Sequence, residues 1–262
     1  MELGYNGKRC LVTASTGGIG YATAETMARE GAAVFVNGRD EARTQAAASR
    51  IRDAVPGANV DVVTADTGTA KGCSAVIAAC PAVDVLVINL GIYEAADIFQ
   101  TGDDHWLELY EINVMSGVRL ARHYLPKMLD RNAGRIVFIN SESAINPAPE
   151  LPAYSATKTM QLSLARNLAE TTKQSNVTVN SVLPGPCATE GVARLIESLY
   201  PGLPITEAQC LFVAENRPTS LIQRLSDPQE VAEFVTFIAS ERTGIVNGAA
   251  LRIDGGLIRT VV

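Results

Sequence analysis

The chain has 262 residues, 47% of them hydrophobic, and a formal net charge of −6. That length suits one large α/β core better than two small ones, and the mild acidity without any run of Lys and Arg argues against nucleic acid as a partner. Five cysteines with no C-x-x-C spacing and only two histidines, His105 and His123, carry no disulfide or zinc signature and leave little for a His-based triad.

In chain order, short apolar β-branched runs alternate with longer amphipathic ones. Residues 10–14 read as a buried strand, and 19–31 as a helix closed by Gly31. Residues 33–37 form a second strand, followed by a helix through Arg52. Strands at 60–65 and 83–89 precede a long helical stretch over 103–130. A fifth strand at 134–140 leads into a helix that carries Tyr154 and ends near Lys173. Residues 177–183 are the sixth strand, 227–240 a late helix with Pro228 in its first turn, and 248–254 the last strand. This alternation predicts right-handed βαβ units and a parallel sheet covered on both faces. Charges inside the first apolar run do not fit a signal peptide, and no uncharged apolar run approaches membrane-spanning length. With five thiols expected to stay reduced, a cytoplasmic protein without a membrane partner is predicted.

Two local patterns point to chemistry. After the first strand comes TASTGGIG, residues 13–20. Glycines at a strand-to-helix turn let the backbone approach a pyrophosphate, and the helix N-terminus offers free N–H groups to it. The second strand ends VNGRD, with Gly38 where an NAD-binding site carries an acid for the ribose 2′-hydroxyl, and Arg39 next to it. A guanidinium there suits a 2′-phosphate, so NADP(H) is expected over NAD(H). The competing reading has Arg39 solvated at a helix start and Asp40 as its N-cap. The second pattern is Tyr154 and Lys158, four residues apart on one helix face, with small Ser155, Ala156 and Thr157 between them. An ammonium one turn from a phenol stabilises the phenolate and suits the pair to acid/base work.

TASTGGIG, the NLG at 89–91, Asn113, Ser141, YSATK, the PGPCAT at 184–189 and the IDGG at 253–256 together resemble the short-chain dehydrogenase/reductase family, including its 3-oxoacyl-acyl-carrier-protein reductase-like members. The resemblance spans the whole chain. It implies a single Rossmann-like domain, a three-layer sandwich around a seven-stranded parallel sheet, that interconverts a carbonyl and a secondary alcohol by hydride transfer with NADP(H). It implies a catalytic set of Asn113, Ser141, Tyr154 and Lys158, with Ser143 as the alternative to Ser141. In the family the asparagine bends its helix and holds a proton-relaying water, and the lysine also bonds the nicotinamide ribose. The implied cofactor contacts are Thr13, Ser15, Gly18, Ile19, Gly20, Arg39, Asp66, Thr67, Asn89, Gly91, Tyr154, Lys158, Pro184, Gly185 and Thr189. Two positions depart from the family pattern. Ala14 stands where its first glycine is expected, a change tolerable if φ there is negative, and Leu90 replaces an alanine.

Residues 186–226 follow the sixth strand and are expected to roof the site, because ligands sit at the carboxyl ends of parallel strands. Val192, Leu195, Ile196 and Leu199 fall on one helical face, and Leu211, Phe212 and Val213 add to an apolar lid over a fairly apolar ketone or 3-oxoacyl substrate. Tyr93, Glu94, Glu142 and Glu150 are further candidates for the pocket wall. Leu162, Leu164 and Leu168 support a homo-oligomer, a tetramer or dimer by resemblance. An NADP(H)-binding, redox-sensing regulator without turnover is the alternative function.

Overall fold

The computed structural model describes residues 1–261. Seven strands form one sheet in the order β3-β2-β1-β4-β5-β6-β7, and every pairing is parallel. The strands are β1 (Arg9–Val12), β2 (Ala33–Gly38), β3 (Val60–Thr64), β4 (Val85–Ile88), β5 (Gly134–Ile139), β6 (Val177–Pro184) and β7 (Ala250–Ile253). The helices are α1 (Gly18–Arg29), α2 (Glu41–Ala54), α3 (Ala70–Ala79), α4 (Asp103–Leu109), α5 (Ser116–Asp130), α6 (Pro152–Glu170), α7 (Glu190–Leu199), α8 (Ile205–Asn216) and α9 (Pro228–Ile238).

The period-2 alternation of strand side chains explains the layers. Cys10, Val12, Val34, Val36, Val85 and Val87 face Met27 of α1, Ile51 of α2 and Val231 and Val235 of α9. Leu11, Leu86, Ile88, Ile136 and Phe138 face Val76 of α3, Leu120 and Tyr124 of α5 and Ala165 of α6. Both faces are thus covered, and the central strands read as continuous apolar runs. A third cluster, with Leu151, Leu195, Ile196, Phe212 and Val213, lies at the start of α6 and between α7 and α8.

Two helices escape the sequence pattern. α3 is short and alanine-rich, with Gly72 inside it, where any Cβ would sit 1.8 Å from the Asp66 carbonyl oxygen. α8 lies in the lid segment 186–226, where the one helical face read from the sequence is that of α7. The stretch 103–130 is not one α-helix either. It breaks at a π-helical turn, Tyr110–Met115, between α4 and α5. Leu164 and Leu168 pack against the intramolecular core, so most of the apolar face of α6 is already spent. Among the described residues, no helix is long and apolar enough to cross a membrane.

Candidate active site

The strand ends of β1, β4, β5 and β6 open onto two adjoining cavities. The first is lined by Ala14, Thr16, Gly17, Gly18, Ile19, Asn89, Gly91, Lys158 and Thr189, among others, and the second by Ser141, Glu142, Leu151, Leu195, Phe212 and Arg217. Tyr93, Asn140, Tyr154, Ile19 and Thr189 face both.

The first cavity has the shape of a phosphate cradle. α1 begins at Gly18 behind Gly17, which makes no side-chain cap, whereas α2, α3, α7 and α9 are capped by Asp40, Thr69, Thr189 and Asp227. The uncapped N–H groups of α1 therefore remain donors for an anion. A Cβ at Gly17 would stand in open space, and one at Gly18, whose φ is +54°, would lie 3.1 Å from Thr189 Cγ2. A Cβ at Gly91 would come within 3.3 Å of Lys158 Nζ, so glycine there lets the lysine reach the cavity. These features fit a dinucleotide. Ala14 contradicts the tolerance condition set by the sequence, because its φ is +50°, in the left-handed region that penalises a Cβ. Asn89 braces the turn by donating from Nδ2 to the carbonyls of Thr13 and Ala14 at 3.0 and 3.1 Å.

Thr13, Ser15, Asp66 and Thr67 are not among the residues that line the first cavity. Ser15 is fully buried, donating to the Val12 carbonyl at 2.8 Å and accepting from the Asn37 N–H at 2.9 Å. Thr13 is likewise internal, accepting from the N–H groups of Asn89 and Leu90. Thr67 is buried against Asn37, and the Asp66 carboxylate accepts from the Gly68 N–H in its own turn. Their side chains hold the ends of β1 and β3. Gly18, Ile19, Asn89, Gly91, Tyr154, Lys158 and Thr189 line the first cavity, and Pro184 and Gly185 the second. Gly20 carries no side chain because Asn89 Nδ2 and the Ala14 carbonyl would lie 2.5 and 2.7 Å from its Cβ.

At the end of β2, Gly38 has no room for an acid, since a Cβ would meet Thr16 Cγ2 at 2.4 Å and Thr44 Oγ1 at 2.5 Å. Arg39 is exposed, and Asp40 does cap α2, accepting from the Arg43 N–H at 2.8 Å. Arg43, absent from the sequence expectations, lines the first cavity and pairs with Glu190 of α7 at 3.2 Å. Its position five residues past Gly38, in the first turn of α2, was the available signal.

Tyr154 and Lys158 lie one turn apart on α6, with Lys158 Nζ 5.5 Å from the Tyr154 ring centre. Ser155 and Thr157 are buried between them, while Ala156 is exposed. Lys158 Nζ donates to the Ile139 carbonyl at 2.9 Å and to Gln161 Oε1 at 3.0 Å. Burial pulls its pKa from 10.5 down to about 7. Burial and then the Glu142 carboxylate push the Tyr154 phenol upward, and Ser141 and Arg217 only partly offset this. The tuning expected from Lys158 is therefore not what dominates the phenol in this structure.

Asn113 lies in the π-helical turn and is fully buried. Its amide brackets Ile92, accepting from the N–H at 2.8 Å and donating to the carbonyl at 2.9 Å, and donates to Thr157 Oγ1 at 3.1 Å. Its own carbonyl accepts from Gln161 Nε2. Gln161 thus bridges Asn113 and Lys158 directly. Its glutamine identity, seven residues past Tyr154 on the inner face of α6, was a readable but unused signal.

In the second cavity Ser141 Oγ donates to Glu142 Oε2 at 2.5 Å and accepts from the Ser143 N–H at 3.1 Å. Arg217, at the end of α8, reaches Glu142 at 3.0 Å and Glu150 at 2.8 Å, and all three side chains are largely enclosed. The pairing joins residues 75 and 67 positions apart, so no local pattern announces it. Tyr93 packs edge-on against Tyr154 at 5.4 Å, and Glu94 lies in a neighbouring recess instead. Among the described residues no group of His, Cys, Asp and Glu could hold a metal.

Residues 8–199 match the family model described as short chain dehydrogenase. The chain is 51% identical over 263 residues to the "Uncharacterized oxidoreductase YvaG" of Bacillus subtilis, covering 100% of both. It is 31% identical to D-beta-hydroxybutyrate dehydrogenase of Cupriavidus necator, over 97% of this chain and 98% of that one. The crystal structure of L-sorbose reductase from Gluconobacter frateurii, complexed with NADPH and L-sorbose, superposes with a TM-score of 0.91 at 31% identity, covering 100% of both chains. The uncapped glycine turn beside a Tyr-Lys pair, on a seven-stranded parallel sheet, agrees with these likenesses: the chain belongs to the short-chain dehydrogenase/reductase family, NAD(P)-dependent oxidoreductases acting on CH–OH or C=O groups.

Proposed function

We propose that this protein is an NADPH-dependent ketone reductase in which Tyr154 is the general acid. The observation that carries the reading is that Ser141 and Tyr154 share a cavity wall beside Lys158, directly next to the glycine cradle. NADPH, when bound, supplies a hydride to the carbonyl carbon. The α1 N-terminus and Gly17–Gly18 would hold its pyrophosphate, and Arg39 with Arg43 would pair with a 2′-phosphate. NADPH in the L-sorbose reductase complex supports that choice, as does the lack of space for an acid at Gly38. Ser141 donates to the substrate oxygen as negative charge builds on it, and Tyr154 Oη delivers the proton to that oxygen. A phenol pushed upward stays protonated at neutral pH, so Tyr154 carries the proton that the substrate oxygen must receive. Lys158 orients the nicotinamide ribose, and Asn113, through Gln161, holds Lys158.

The substrate's apolar part sits against Leu151, Val192, Leu195 and Phe212. Residues 186–226 act as the lid of a single 1–262 domain, and the enzyme works in the cytoplasm as a homo-oligomer. A sensor without turnover gains nothing from a retained Ser141, Tyr154 and Lys158.

The test is NADPH or NADH oxidation against a panel of aromatic ketones, cyclic diketones, keto sugars and 3-oxoacyl thioesters. Turnover should favour NADPH, fall by about 10²–10⁴-fold in Tyr154→Phe, and lose its cofactor preference in Arg39→Ser. Tight NADPH binding with no ketone turned over would overturn the reductase reading.

A further inference from the structure

Glu142 is an unusual neighbour for a serine that must stabilise a developing oxyanion. It is 4% exposed, and both carboxylate oxygens are engaged: Oε1 accepts from Arg217 Nε at 3.0 Å and Oε2 from Ser141 Oγ at 2.5 Å. Arg217 is shared with Glu150 and lies over the Phe212 ring at 5.4 Å, so the guanidinium cannot swing out to meet a ligand without breaking two ion pairs. One guanidinium between two carboxylates leaves a formal charge of −1 in the wall of the second cavity.

A serine hydroxyl has one proton. To donate it to a substrate carbonyl, Ser141 must withdraw it from Glu142 Oε2, which is then a buried carboxylate oxygen without its donor. A plain ketone leaves it so. A ketone with a hydroxyl on the adjacent carbon does not, because that hydroxyl can donate to Oε2 while the carbonyl accepts from Ser141. An anionic group at the same place meets the carboxylate directly. Resting on the reductase reading above, we infer that Glu142, locked by Arg217, is the specificity-determining residue of this site, and that it selects neutral α-hydroxyketones over plain ketones and over keto acids.

Three aromatic ketones of one size test this with wild-type protein and NADPH: 2-hydroxyacetophenone, propiophenone and benzoylformate. The phenyl ring suits the apolar wall, and the varied group is CH₂OH, CH₂CH₃ or carboxylate. The expected kcat/KM for the hydroxyketone exceeds that for propiophenone by about 10- to 100-fold, because a buried acceptor left unpaired discriminates by that order. Benzoylformate should be the poorest of the three. Glu142→Gln should raise kcat/KM for benzoylformate by about tenfold or more, since the repelling charge is gone. Glu142→Asp, which keeps the charge but withdraws the carboxylate by one methylene, should lose the hydroxyl preference and still reject benzoylformate. This second variant retains a partner for Arg217 and guards against misfolding in the first. Equal turnover of the hydroxyl and ethyl compounds, or benzoylformate as the best substrate, would overturn the inference while leaving the reductase reading standing. Turnover of none of the three or of any panel ketone would sink both.

Discussion

Lys158 illustrates what burial does to one residue. Its amine sits near pKa 7 in the folded chain against 10.5 when free, with burial as the cause. Between those values the unfolded chain binds a proton that the folded chain has shed, so stability rises with pH across that window. At lower pH the full cost applies, on the order of a few kcal/mol. Lys158→Met removes the titration, while the bonds lost to Ile139 and Gln161 add an offset that does not vary with pH. Urea unfolding at both ends of the window should therefore show the wild type gaining on the variant as pH rises towards 10.5. A pH-independent difference would refute the assignment. Ala14 is the second informative residue. Its φ of +50° costs a methyl group energy that glycine avoids. Ala14→Gly should raise unfolding free energy by about 0.5–1 kcal/mol after the entropy gained by the unfolded chain is discounted, measurable as a higher melting temperature.

At the scale of elements, ends and interruptions position the site. The π-helical turn before α5 places Asn113 opposite Ile92 and Thr157. The bare N-terminus of α1 faces the cavity, whereas α9, which packs on the same sheet face, has a complete capping box. There Asp227 accepts from the Gln229 N–H, and Glu230 accepts from the Asp227 N–H, both at 2.8 Å. Asp227→Ala should cost about 1 kcal/mol and lower the melting temperature by about 2–4 °C, with cofactor affinity unchanged because the cap lies outside both cavities. A cap at Gly17 has the opposite logic: a Gly17→Asp carboxylate would occupy the donors of α1 and repel phosphate, so NADPH affinity should fall more than tenfold in a fluorescence titration.

At the scale of the whole molecule, the sheet is fully covered, yet large apolar side chains remain outside. Leu107 of α4 is 63% exposed, Met160 of α6 48%, and Tyr110 in the π-helical turn 39%. These three, more than Leu164 or Leu168, are available for association through α4 and α6. Light scattering at micromolar concentration should return a dimer or tetramer, and Leu107→Asp with Met160→Asp should shift it towards the 27.8 kDa chain. A monomeric wild type would reject that assembly.

The succession of strands and helices along the chain, the parallel sheet covered on both faces and the Tyr154–Lys158 pair were legible in the sequence because each rests on a local pattern: short continuous apolar runs for buried strands, a spacing of three to four residues for a helix face. The glycine turn was legible for a related reason, since only small residues permit close backbone approach. What periodicity cannot carry is contact between segments distant in the chain. The alanine-rich α3, the break before α5, the inward turn of Ser15 and the positive φ of Ala14 follow from packing against other elements. Gln161 joins α6 to the carbonyl of Asn113 across 48 residues, and Arg217 closes on Glu142 across 75. Such buried polar pairs arise only when folding brings their partners together and removes the water that would otherwise satisfy them, so the wall of the pocket was decided in three dimensions.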